Sequence, residues 1–262
     1  MSRPRAISLL SESSNGASTC ELIALPCIDA AHPFGRGCHR VIGTIDYSSL
    51  PCEKLIALFE QTRQAHHNFF DLWQQAVGDR YGTETCTELT ALVYPTLEAS
   101  GNDLFKVFYE ELNFMWSIME NIQHLLTFAR YDASLLPREL HPELALQELS
   151  GEALVLLWNT APLTYVMQTN RWTDLLTRRF GQRAALKLEK DVWLDYGGAE
   201  DDLRFGLEAA GALTGIVATL LRGFQMAPGE VGLVAAEFTL ETPEHGFITH
   251  QRCPAKDRFG NS

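Results

Sequence analysis

The feature of this sequence that most constrains its fold is an internal duplication. Leu50–Tyr94 recurs as Leu149–Trp193 with no insertion or deletion between the copies. The identical positions include Leu50/Leu149, Glu53/Glu152, Leu55/Leu154, Leu58/Leu157, Trp73/Trp172, Arg80/Arg179, Gly82/Gly181 and Leu89/Leu188. A gapless match that pairs tryptophans and an arginine–aromatic–glycine run is not expected from chance. We therefore predict two structurally related units, at about residues 49–100 and 148–200.

Each copy has the pattern of a helix, a tight turn and a second helix. In the first copy the apolar residues recur at helical spacing, and Gly82 suits a position where a helix stops on a left-handed residue. Thr85 and Glu88 have the spacing of a capping box for the helix that follows. The equivalent residues of the second copy predict the same arrangement there.

Two further helices are predicted outside the copies. Asp103–Arg130 has neither Pro nor Gly and carries a wide apolar face, which indicates one long packed helix that joins the units. Asp201 and Asp202 favour the start of a last helix that runs to about Gly223. This last helix is rich in glycine, which lets another helix approach closely, so we predict a homodimer through residues 203–223.

The two ends of the chain differ from its helical centre. Residues 1–21 read as a flexible leader, and Ala30–Arg40 as a loop. Gly232–Thr242 and Gly246–Cys253 have the pattern of a β-hairpin, which we expect to pair with a strand at Leu22–Ile28. The predicted fold class is mainly α: a helical bundle of duplicated helix–turn–helix units with a small sheet, forming a single domain over residues 22–262.

Composition excludes several classes of protein. The net charge of −12, with no clustered basic face, argues against a nucleic-acid partner. The longest nearly apolar run, Ala209–Leu221, is too short to span a bilayer, so no membrane partner is expected. The six cysteines do not suggest a disulfide framework in a chain of 262 residues, and no apolar signal region is visible near the start. A cytoplasmic protein with reduced thiols is the expectation.

Candidate site residues come from positions where the copies differ. His66 and His67 correspond to Tyr165 and Val166, and Asp71 corresponds to Asn170. His67 and Asp71 are four residues apart on one helical face, where the carboxylate can orient the imidazole or join it in binding a metal. His66, His67 and Asp71 are therefore candidate catalytic residues, although a solvated helix face explains the same pattern.

A metal site is a second hypothesis for this region. Glu120 and His124 are four apart on the middle helix, and Glu110 and Glu111 lie on the same element. Carboxylates and histidines that project into a helical bundle hold the metals of di-iron proteins, but the Glu-x-x-His pair typical of those proteins is absent. His67, Asp71, Glu120 and His124 form the predicted ligand set, with iron, manganese or zinc as the possible metal.

The cysteines offer a third kind of chemistry. Cys38 lies beside His39, and Cys253 lies near His250 and Arg252, which could lower the pKa of a thiol enough to make it a nucleophile. Cys38 and Cys253 are therefore candidate catalytic residues, with a buried, inert thiol as the alternative. No phosphate-binding loop, G-x-G-x-x-G or G-x-S-x-G motif is present.

The second copy resembles a known family. The residues that carry the resemblance are Leu149, Glu152, Leu154, Trp172, Arg179, Phe180, Gly181, Ala184, Leu188, Val192 and Trp193. They are similar to a pattern found in prokaryotic helical proteins that resemble L-2-amino-thiazoline-4-carboxylic acid hydrolase. The resemblance implies a helical fold and small-molecule chemistry. It assigns no catalytic residue, because the family pattern carries several cysteines near the C-terminus and this chain has only Cys253 there.

Two classes of function remain open from the sequence. The first is an enzyme, with a hydrolase-like reaction as the expectation, that acts on a small polar or sulfur- or nitrogen-containing metabolite in a pocket between the two copies. The second is a non-catalytic helical binding or scaffold protein. A third hypothesis is a metal-dependent, di-iron-like oxidase, and its only support is that the predicted helices carry Glu and His.

Overall fold

The computed structural model of the chain describes residues 40–42, 49–118, 132–210, 216–227, 235–242 and 244–252. Eight α-helices lie in these ranges: α1 Cys52–Tyr81, α2 Thr83–Val93, α3 Leu104–Ser117, α4 Gly151–Thr160, α5 Leu163–Phe180, α6 Gln182–Leu194, α7 Gly198–Ala210 and α8 Ile216–Met226. The strands are β1 Arg40–Ile42, β2 Ala235–Thr242 and β3 His245–Arg252. The predicted class, mainly α with a small sheet, is confirmed.

The first copy folds as predicted, with α1, a turn at Gly82 and α2. Gly82 has φ 89° and ψ 158°, and its counterpart Gly181 has φ 86° and ψ 155°. These dihedrals are accessible almost only to glycine, which explains why both copies carry it. The predicted capping box at Thr85 and Glu88 is wrong, because α2 begins at Thr83, directly after the glycine, with no side-chain cap.

The second copy departs from the prediction of one long first helix. It has two helices, α4 and α5, with Ala161 and Pro162 between them. Pro162 stands where the first copy has Arg63, and proline lacks the N–H that continues a helical ladder. Thr164 and Tyr165 therefore donate to carbonyls only three residues back, those of Ala161 and Pro162.

The two copies pack on each other through equivalent residues. The rings of Trp73 and Trp172 stack with centroids 5.8 Å apart and planes within 5°. The next such pair, Tyr81 and Phe180, stacks at 3.9 Å and 3°. Contact between equivalent positions is the mark of a twofold relation, since residues near such an axis meet their own counterparts. The copies are thus related by a local twofold axis within one chain.

Crossed ion pairs follow the same symmetry. Arg80 at the end of α1 donates to Asp191 on α6 at 3.3 Å, and Arg179 at the end of α5 donates to Glu88 on α2 at 2.5 Å. Each arginine therefore reaches the second helix of the other copy. The apolar cluster around Trp73 and Trp172 draws buried residues from both copies.

The middle helix is shorter than predicted. Asp103 caps α3 by accepting from the backbone N–H groups of Phe105 and Lys106. The helix ends at Ser117, where Ile118 leaves the helical conformation with φ −112° and ψ 5°. Residues 119–130, which we expected to continue it, lie outside the described ranges.

The predicted last helix is in fact two helices that pack on each other. A Cβ built on Gly206 of α7 would lie 2.0 Å from the backbone oxygen of Gly223 on α8. Glycine is therefore needed at this crossing. The close approach that we expected from a partner molecule is made at Gly206 within the chain.

The predicted hairpin is confirmed, and its third strand differs from the expectation. β2 and β3 pair antiparallel, with Phe238 opposite Ile248. β1 pairs antiparallel with the other edge of β2, with Arg40 opposite Leu240. Arg40, expected in a loop, thus begins a strand, while Leu22–Ile28 lies outside the described residues. Gly246 of β3 packs against Val217 and Leu221 of α8, which joins the sheet to the helices.

Candidate functional site

A buried polar cluster lies where α1, α3 and α5 meet. Nε2 of His66 is 2.8 Å from Oε2 of Glu111, and the amide nitrogen, Nε2, of Gln168 lies 2.5 Å from the same ring nitrogen. Nη1 of Arg171 donates to Oε1 of Glu111 at 2.8 Å and to the Val93 carbonyl at 3.2 Å. His66 and Glu111 are 1% and 4% exposed. The carboxylate therefore has a partner on each oxygen.

The helices place these side chains on faces that otherwise bury apolar residues. His66 shares the buried face of α1 with Phe59 and Phe70, and Glu111 shares that of α3 with Phe108 and Leu112. An unpaired charge in such surroundings costs several kcal/mol, so the ring of His66 and the guanidinium of Arg171 are what make the position of Glu111 tenable.

The hydrogen bonds indicate where the His66 ring carries its proton. Because Arg171 already donates to Glu111, the carboxylate acts as the acceptor for Nε2 of His66. The N–H then lies on Nε2. The Gln168 amide as placed turns its own nitrogen, a donor, toward this N–H, so it accepts from His66 only when its oxygen and nitrogen are exchanged. Nδ1 of His66 has no hydrogen-bond partner among the described residues. In the neutral ring that nitrogen carries a lone pair available to a proton.

The cluster breaks the twofold relation of the copies. The counterpart of His66 is Tyr165, and the two rings meet edge to face with centroids 6.4 Å apart. The counterpart of Gln168 is Phe69, whose ring lies 5.2 Å from that of Tyr165. The contact of His66 with Gln168 is thus polar. The equivalent contact on the other side of the axis, between Tyr165 and Phe69, is aromatic.

A cleft that Tyr165 lines, and His66 does not, lies between α1, α5 and α7. It is partly open to solvent, and its enclosed part has room for about one water-sized group. The lining residues are Ala65, Asn68, Phe69, Leu72, Tyr165, Gly198, Asp201, Asp202 and Phe205. Both copies contribute to it, together with the start of α7.

The hydroxyl of Tyr165 is kept protonated by its surroundings. Burial raises its pKa well above the ordinary tyrosine value, and the negative charges of Asp202 and Asp201 raise it further. The hydroxyl has no hydrogen-bond partner within the described ranges. Tyr165 therefore offers the cleft a neutral O–H group that both donates and accepts.

His67 and Asp71, the other candidates on α1, lie apart from this cluster. They share a helical face as predicted, with Nε2 and Oδ2 4.0 Å apart, but they are 33% and 65% exposed. The ring of His67 packs on Phe105 of α3, with centroids 5.6 Å apart. Of the three candidates on α1, the structure brings only His66 into a buried constellation.

The remaining candidates, Glu120, His124, Cys38 and Cys253, lie outside the described residues. Within the part of the chain that is described, no three His, Cys, Asp or Glu side chains converge as a metal site would require. The ligand set with His67 and Asp71 therefore stays a prediction. The described thiols, Cys52 and Cys86, are free.

Sequence reasoning missed Gln168 and Arg171 and did not single out Glu111 from its helix. A signal for Gln168 was present in the duplication, because a polar residue stands there where the other copy has a core phenylalanine. The acidic residues Asp201 and Asp202 were interpreted only as a helix start. Their place in the cleft depends on how α7 packs on α1, which no local pattern shows.

Comparison with protein-family models, with curated proteins and with solved structures finds no match for this chain. No described helix is long and apolar enough to cross a membrane.

Proposed function

We propose that this protein is an enzyme that acts on a small polar or sulfur- or nitrogen-containing metabolite, in a hydrolase-like reaction at the junction of the two copies. The observation that carries the proposal is the buried cluster of His66, Glu111, Gln168 and Arg171. Its acid–base group is His66, and the adjoining cleft at Tyr165 is the entrance for the substrate.

The energetics of burial support a functional role for the cluster. A buried ion pair contributes little net stability compared with apolar residues of similar size, because both charges are desolvated. The opposite side of the local axis shows that aromatic packing fills an equivalent space, with Tyr165 and Phe69. A histidine held by a carboxylate is, by contrast, a common arrangement for acid–base catalysis.

Each residue has a defined part in the proposed reaction. As the oxygen of a water molecule bonds to the electrophilic carbon of the substrate, Nδ1 of His66 takes the water proton. Glu111 stabilises the imidazolium that forms, and Arg171 and Gln168 hold the carboxylate and the ring in place. The imidazolium then returns the proton to the leaving nitrogen or sulfur as its bond to carbon breaks.

The resemblance to proteins similar to L-2-amino-thiazoline-4-carboxylic acid hydrolase suggests the compounds to test first. We would incubate the full chain with small cyclic imines, amides and thioesters, and follow their loss and the uptake of oxygen from labelled water by mass spectrometry. We expect His66→Gln and Glu111→Gln to lower turnover by about 100-fold or more. His67→Gln, the matched change at the next position of α1, should leave it unchanged.

The cluster is almost fully buried, and this favours a second candidate function. In that case the protein is a non-catalytic binding or scaffold protein, and these residues only specify how the helices pack. The same experiment separates the two. Turnover that persists in folded His66→Gln, or its absence for all compounds with the wild-type chain, would contradict the enzyme proposal and favour the scaffold. The predicted homodimer through residues 203–223 belongs to this second candidate.

A further inference from the structure

The cleft beside Tyr165 has the chemistry of a cation site. Asp201 and Asp202, in the first turns of α7, are the charged residues among those that line it. Its walls include the aromatic residues Phe69, Tyr165 and Phe205. Carboxylates together with aromatic rings are the surroundings that proteins use to hold ammonium groups.

The two aspartates alone would not identify a site. Negative charge at the start of a helix stabilises its dipole, and Asp201 also accepts from Arg204 at 2.9 Å. Tyr165 supplies the independent observation. Its side chain is 5% exposed, it lines the cleft, and its hydroxyl has no partner among the described residues. A buried hydroxyl without a partner is costly, which is expected where a ligand completes its hydrogen bonds.

We infer that this cleft binds the ammonium group of a small molecule, between the carboxylates of Asp201 and Asp202 and the hydroxyl of Tyr165. An ammonium group has three donors and no acceptor, so it can donate to both carboxylates and to the tyrosine oxygen. The enclosed part of the cleft has room for about one water-sized group, which suits an –NH₃⁺ group whose carbon chain lies in the open part. The inference deepens the proposed function, on which it rests for taking the cleft as the substrate entrance, by naming a primary amine as the substrate class.

The test is a titration of the isotope-labelled full chain, followed by NMR, with n-propylammonium and with neutral 1-propanol of the same shape. We expect saturable binding of the cation, shifts centred on the cleft, and at least about fivefold weaker binding of the alcohol, the ratio that corresponds to about 1 kcal/mol for one partly exposed charge contact. Asp202→Asn should weaken cation binding by a similar factor. Tyr165→Phe, which keeps the ring and removes an unpartnered hydroxyl, should weaken it without unfolding the chain.

The matched control is Asp174→Asn, because it removes one exposed carboxylate from α5 outside the cleft and changes the net charge equally. Equal affinity for the alcohol and the cation, or an equal loss of affinity in Asp174→Asn and Asp202→Asn, would overturn the inference. His66→Gln should retain propylammonium binding, since His66 does not line the cleft. Loss of hydrolysis and loss of cation binding are thus separate results, and each can fail without the other.

Discussion

At the scale of single residues, the ionisation of buried tyrosines should lower the stability of this protein at alkaline pH. Burial, as the largest cause, raises the pKa of Tyr109 to about 12; Glu60 and Glu143 add to the rise, and Arg63 opposes it. Unfolded tyrosine ionises near about pH 10. The stabilising contribution of the protonated hydroxyl is therefore complete below about pH 10 and is lost as the pH rises from about 10 to about 12.

Tyr109→Phe should flatten this alkaline loss of stability, because phenylalanine has no proton to release. We would measure the free energy of unfolding by urea from about pH 9 to about pH 12. Tyr196→Phe is the control, since the hydroxyl of Tyr196 is more open to solvent and its effect should be smaller. A decline as steep in Tyr109→Phe as in the wild-type chain would contradict the assignment.

The residue scale also shows what sequence reasoning can find in a site. His66 could be singled out because its counterpart is Tyr165, and a comparison of copies needs no structure. Its partners could not, because Glu111 and Gln168 come from helices that are distant in the sequence and meet only in the packed bundle. His67 and Asp71 have the four-residue spacing that lets a carboxylate orient a histidine, yet they lie on the surface.

At the scale of elements, the turns at Gly82 and Gly181 should be equally intolerant of a side chain. Alanine at either position has to adopt a φ near +90°, and we expect each change to cost about 1–3 kcal/mol of stability. Gly78→Ala is the control: this residue lies inside α1, and its new Cβ would be 4.0 Å from that of Cys86. It should be neutral or stabilising by up to about 1 kcal/mol.

Chemical denaturation of the three glycine variants measures these differences. A cost at Gly181 well below that at Gly82 would mean that the turns are not equivalent, contrary to their matching dihedrals.

The helices could be predicted from the sequence where a local pattern alone sets their bounds. The helices of the first copy follow apolar spacing and a glycine stop. The break at Pro162 was also visible in the sequence, but the strong match between copies outweighed it. The division of the last helix into α7 and α8 was not predicted, because the close approach of Gly206 to the Gly223 carbonyl exists only once the two helices pack.

At the scale of the whole molecule, the stack of Trp73 on Trp172 should couple the two copies energetically. Both side chains are fully buried. We expect the single changes to phenylalanine to destabilise the chain, and the double change to show a coupling energy of about 0.5–1.5 kcal/mol. The unfolding transition, followed by circular dichroism, provides the measurement.

The matched cycle pairs Trp73 with Trp158, which is also buried but belongs to a different apolar cluster. Those two changes should be additive within about 0.5 kcal/mol. Additivity of Trp73 with Trp172 as well would show that the stack contributes nothing specific to the joining of the copies.

The local twofold axis has a consequence for how copies choose their partners. The second copy of a neighbouring molecule offers the first copy the same interface as the second copy of its own chain. The covalent connection between the copies keeps the correct partner close, because it raises that partner's effective concentration. Refolding at high protein concentration therefore favours domain-swapped dimers, in which two molecules exchange copies. Refolding at low protein concentration favours the monomer. The copies differ at the positions of His66 and Tyr165 and at those of Gln168 and Phe69. These differences disfavour the pairing of two first copies or of two second copies.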